Sequence, residues 1–173
     1  MFLLSFNFER PMNLVRQWIK TGVAVAVSDG LFASATGMWI KPYATPFRVF
    51  RGVASVLFGK GALDGGTPMA LVGMLMHLGV ALFWSGIFIL VLQNSDKLRS
   101  AIQSAPGAIA TALVYGITIW LIMSLIVIPT LLHRPPNITT KWWVQMFGHP
   151  LFVVTPMILL NRRLTRDREA VLA

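Results

Sequence analysis

The chain has 173 residues, of which 55% are hydrophobic and only 12% charged, and its mean hydropathy is +0.69. A soluble domain carries about 25% charged residues, so this composition excludes an ordinary water-soluble fold. The formal net charge of +9 needs no nucleic acid to explain it, and the absence of cysteine removes disulfides, iron–sulfur ligation and thiol chemistry.

Four long segments, 21–40, 68–92, 106–132 and 142–160, contain no Lys or Arg, and Asp29 is the only acid within them. A hydrocarbon core of ~30 Å takes about 20 helical residues, so the expectation is an all-α polytopic membrane protein with four transmembrane helices. The first span follows Arg10, Arg16 and Lys20, and Ala33-Ser34-Ala35 resembles a signal-peptide cleavage site. Asp29 interrupts its apolar core, however, and the run continues through Met38-Trp39-Ile40, so a retained helix is expected. Gly22, Ala26, Gly30 and Ser34 recur every fourth residue, a small-residue stripe suited to close helix contact in lipid. Trp18 and Trp39 bracket this span at positions where an interfacial aromatic belt is expected.

The next stretch, "TPFRVFRGVASVLFGKGALDGG", predicts an amphipathic helix over about 46–59. Phe47, Phe50, Ala54, Leu57 and Phe58 share one face, while Arg48, Arg51 and Ser55 fall largely on the other, which suits a membrane interface or a partner surface. It is not a phosphate loop, because the glycine spacing is wrong and Gly61 stands where Ser or Thr is required. Lys60 and Asp64 in the Gly-rich end read as turn residues.

The second span repeats the stripe with Gly73, His77, Ala81 and Ser85, and the third carries Ala108, Ala112 and Gly116. The fourth opens on Trp142-Trp143, holds His149, and contains Pro150 and Pro156, which should kink it or leave carbonyls unpaired. A basic tail follows over 161–173.

Counted at 1.5 Å per residue from the same membrane face, Asp29 lies ~17 Å deep, His77 ~14 Å and His149 ~11 Å. Three helices thus bring ionisable side chains to one depth as an intramembrane polar cluster. Its structural reading is a polar contact that pins the helix register. Its functional reading is a proton relay through Asp29 and His77. A third reading makes His77 and His149 ligands of a haem or chlorophyll-type pigment. The expectation is no bound cofactor and no metal. No HExxH, GxSxG or intramembrane carboxylate pair is present, so an enzyme is not expected.

Basic residues at the N-terminal end, Lys97, Arg99 and the tail arginines outnumber those in the other two loops, which favours cytoplasmic termini. The Asp29 position, "FRGVASVLFGKGALDGG", "MALVGMLMHLGVALFW", "WLIMSLIVIP" and "WWVQMFGHPLFVVTPMILLNRR" together resemble a group of small four-span bacterial inner-membrane proteins. That resemblance implies the four-span fold and a bacterial inner membrane; it implies no activity. The leading expectation is a non-catalytic membrane protein working by association, as an accessory or assembly subunit of a respiratory or photosynthetic complex. Its partners are then lipids and other integral subunits. The rivals are a small proton-linked transporter or channel component and a haem or pigment carrier.

Overall fold

The computed structural model describes residues 9–41 and 44–162, with side chains from residue 14 onward apart from the gap. The tail arginines Arg163, Arg166 and Arg168 and the Arg10 side chain lie outside the described residues. All regular elements among the described residues are helical: α1 (Glu9–Ile40), α2 (Pro46–Phe58), a short 3-10 turn (Lys60–Leu63), α3 (Gly66–Asn94), α4 (Asp96–Gln103), α5 (Ala105–Leu132) and α6 (Thr140–Arg162). Four of them, α1, α3, α5 and α6, are long and apolar enough to cross a membrane. The chain is a multi-pass helical membrane protein. At 32 residues α1 is ~48 Å long, so it tilts or projects beyond a ~30 Å hydrocarbon layer.

The four spans form an up-down-up-down bundle, and the small residues decide where they meet. Gly22 of α1 lies against Leu82 of α3, and Gly86 of α3 lies under the Trp18 indole. The Trp18 N–H donates to the Leu82 carbonyl at 2.7 Å, so this residue ties two helices together as well as marking a span end. Gly148 of α6 receives the Phe32 ring, which stacks on Phe152 at 4.3 Å. Gly116 of α5 sits on the Pro150 backbone of α6, where a Cβ would come within 2.6 Å of the proline nitrogen. Tyr115 closes α5 onto α3 by donating to the Trp84 carbonyl at 2.8 Å.

The two ends of the bundle are closed differently. At one end α2 begins at Thr45, whose hydroxyl accepts from the Arg48 N–H, and stops at Gly59, which takes φ +71°. Its middle docks rather than lying free: Ala54 is fully buried, and a Cβ on Gly73 of α3 would fall on the Phe50 carbonyl. Of its large apolar side chains, Phe47, Leu57 and Phe58, at its two ends, remain exposed. The expected apolar face is therefore divided between bundle contact and outward surface.

At the other end α4, in a segment expected to be loop, seals the bundle with buried Ile102. Ser95 caps it, Ser104 caps α5, and Arg99 donates to the last carbonyls of α3 at Leu92 and Gln93. Helix α6 runs two residues past the expected span end. Asn161 is fully buried and donates to the Thr21 hydroxyl and the Met157 carbonyl, and Arg162 donates to the Ile102 carbonyl.

Pro129 of α5 and Pro156 of α6 each sit just past a local change in helix winding. Each is preceded by a wide i→i+5 turn, Ile122–Val127 before Pro129 and Pro150–Val154 before Pro156. A proline has no N–H to give and crowds the carbonyl four residues back, and widening the preceding turn relieves both problems. Thr155 adds its hydroxyl to the Pro150 carbonyl at 3.0 Å.

Candidate functional site: a polar layer inside the bundle

Asp29 and His77 meet, because α1 and α3 run antiparallel with Gly30 facing the imidazole. A Cβ on Gly30 would stand 3.6 Å from His77 Nε2. That nitrogen lies 3.2 Å from the Ala26 carbonyl and 3.7 Å from Asp29 Oδ2. A carbonyl only accepts, so Nε2 carries the proton and donates to Ala26, with the Asp29 carboxylate beside it as an electrostatic neighbour. The Phe50 ring of α2 covers the pair edge-on, 5.8 Å from the imidazole. Asp29 Oδ1 is buried without a hydrogen-bond partner.

His149 stands at the same level on a different wall. Its Nδ1 donates to the Gln145 carbonyl at 2.7 Å, and its ring packs on Trp120 of α5 at 4.7 Å. The three expected residues thus share a layer as a pair plus a separate histidine, and no three His, Asp or Glu side chains among the described residues converge as a metal-holding group. Of the expected packing residues, Gly22, Gly30, Ser34, Gly73, Ala81, Ser85, Ala112 and Gly116 are buried, and Ala26 supplies the carbonyl that His77 uses.

The site also contains groups that sequence reading passed over. Trp120, Trp142 and Gln145 surround His149, and each has a buried N–H group with no acceptor. Of the two tryptophans that open the fourth span, Trp142 is buried against Trp120 at 6.0 Å and Trp143 faces outward. The spacing Trp142, Gln145, His149 places all three on one helical face, which is the signal that would have found them. The Arg51 Nε of α2 is likewise buried and unpartnered, although Arg51 was expected on the helix's outward polar side.

Beneath this layer lies a mainly apolar block: Val25, Ile119, Val154 and Met157 are all buried in one core cluster, which also takes in the Trp84 indole and the Tyr115 ring. Beyond that block comes a second polar layer, where Gln17 and Thr21 meet Asn161. A scan of family models and searches of curated proteins and solved structures found no match to this chain.

Proposed function

We propose that the chain is a non-catalytic integral membrane protein that works by association, as an accessory or assembly subunit of a larger bacterial inner-membrane complex, respiratory or photosynthetic. Both termini then face the cytoplasm, in keeping with the basic residues near them, and the resemblance to small four-span inner-membrane proteins is part of this reading. The observation that carries it is the apolar block between the two polar layers. The block weighs against a proton route: Val25, Val154 and Met157 carry no polar group, and the polar groups packed among the same core, the Trp84 indole and the Tyr115 hydroxyl, are not the carboxylates or imidazoles that proton relays use. The outward surfaces support association. The most apolar window of α5 is only 17% buried, against 44% for α6, leaving a broad face around Ile109, Val114 and Ile126 for lipid or a partner helix.

The rival relay reading draws on one observation, the unpartnered Asp29 Oδ1. Axial ligation by His77 draws on less, since its Nε2 is already held by α1. The test is gentle-detergent purification of the tagged protein from its native membranes, with an absorption spectrum and identification of co-purifying chains. A stoichiometric large complex that survives removal of residues 163–173 less well than the intact chain supports the reading. A colourless, partner-free oligomer whose Asp29→Asn variant loses proton flux in vesicles overturns it.

A further inference from the structure

Helix α5 ends at His133, which takes the left-handed φ of +50°. The Arg134 N–H then closes the turn on the Pro129 carbonyl at 3.2 Å, and Pro135-Pro136 stiffen the chain that follows. The exit loop and the end of α5 together line a groove of about 470 Å³. Ile128, Pro129 and Leu132 make its apolar wall, Ser124 also lines it, and Arg134 and Asn137 stand in the loop at its rim. The neighbouring Leu131 is exposed, so this side of α5 faces outward.

The end of the bundle that carries this rim is rich in cations. Lys41, Arg48, Arg51, Lys60, Arg134 and Lys141 lie there, against Asp64 as the one acid outside the buried Asp29–His77 pair. Among the described residues none of these six side chains forms an ion pair or donates a hydrogen bond, and the Arg51 Nε is buried without a partner. At the opposite end, by contrast, Arg99 and Arg162 give their protons to backbone carbonyls. Lys41, just past α1, and Lys141, in the first turn of α6, lie close enough for their charges to repel. Positive charge is thus gathered on one face with nothing in the described protein to neutralise it. Exposed Trp39 and Trp143, each two residues from one of these lysines, mark the level of the lipid headgroups. A soluble anion would satisfy the cations and leave the apolar wall uncovered. A zwitterionic lipid would cover the wall but bring its own cation to the rim. A lipid with a net negative head does both.

We propose that the groove and its cationic rim bind an anionic phospholipid, with one acyl chain along Ile128, Pro129 and Leu132 and the phosphate at Arg134. The other cations of this end add attraction for the negative head, and the chemistry is the same whichever face of the membrane this end meets. The full chain, stripped of lipid in a neutral detergent, is titrated with dioleoyl phosphatidylglycerol, with dioleoyl phosphatidylcholine and with inorganic phosphate, and bound lipid is counted by native mass spectrometry. The expected result is saturable binding of phosphatidylglycerol, at least about fivefold tighter than phosphatidylcholine, with no saturable binding of phosphate alone. Arg134→Gln should weaken phosphatidylglycerol about fivefold and leave phosphatidylcholine unchanged. Leu132→Ser should weaken both lipids several-fold, and Lys97→Gln, an exposed cation at the opposite end, should change neither. All three variants should keep the wild-type melting profile. No saturable lipid binding, equal affinity for the two lipids, binding of phosphate alone, or an Arg134→Gln effect no larger than that of Lys97→Gln overturns the proposal.

Discussion

Asp29 is tolerated because α3 brings an imidazole to it and α2 lays a phenyl ring over the pair. The contact is modest in strength. At 3.7 Å it is longer than a hydrogen bond, and the imidazole proton is already engaged by the Ala26 carbonyl. Polar pairs inside membrane bundles contribute about 0.6 kcal/mol on average and at most about 1.7 kcal/mol. A double-mutant cycle of Asp29→Asn and His77→Ala, read by thermal unfolding in detergent, should therefore give a coupling within that range. A coupling near zero would remove the register-pinning role. That Asp29 and His77 would meet was readable from depth counting and from the small-residue stripes beside both. The ring of donors around His149 was not, because Trp120 sits in an apolar run and Gln145 beside two tryptophans, where nothing but helical spacing distinguishes a buried face from an outer one.

Glycine governs how the helices approach one another. Gly73 and Gly79 lie in the same span, yet only Gly73 has a neighbour, the α2 backbone at Phe50; a Cβ on Gly79 would meet nothing within 4 Å. Gly73→Ala should push α2 away and cost about 2 kcal/mol, the range of overpacking. Gly79→Ala should be neutral or stabilising by up to about 1 kcal/mol, because alanine is the better helix former. Melting temperatures of the two variants in one detergent check the contrast, and equal effects would mean that α2 is not docked through Gly73. Helix α2 was legible from its Thr-Pro start and its periodicity. Its docked middle was not, because periodicity gives a face without naming what covers it. Helix α4 left a signal that is easy to miss in a charged loop: Ser95 three residues before Leu98, and Leu98 four before Ile102. The wide turns before Pro129 and Pro156 follow from proline chemistry, but whether a helix kinks or widens depends on the neighbour it must fit, here Gly116 under Pro150.

Taken whole, the protein has two polar layers with a mainly apolar block between them, and water should reach it unequally. The chain has no cysteine, so single cysteines report access without background. Asn137→Cys at the groove rim should react with a membrane-impermeant thiol reagent from one face only, which also fixes the orientation. Ser124→Cys should react with a small neutral reagent, and Val154→Cys, fully buried in the apolar block, with neither. Labelling at Val154 as fast as at Ser124 would reveal a wet path and revive the relay reading. Four spans were legible because hydrocarbon thickness alone dictates their length. The apolar block was not, since Val25, Val154 and Met157 look like any other apolar residues until their partners are known.

The pairing of Asp29 also bears on which contacts become available as the chain is synthesised. A carboxylate at the centre of a span opposes insertion by about 2.5–3.5 kcal/mol. Helix α1 is accordingly less hydrophobic than α3, with a mean hydropathy of 1.4 against 2.2. Left alone in the bilayer, α1 would be a reluctant segment, free to slide or to wait at the translocon. His77 emerges only with α3, and Gly73 with its seat for α2 emerges four residues before it. The first hundred residues therefore already contain Asp29, His77 and the Phe50 ring, whereas Thr21 and Phe32 of α1 find their partners only when α6 follows.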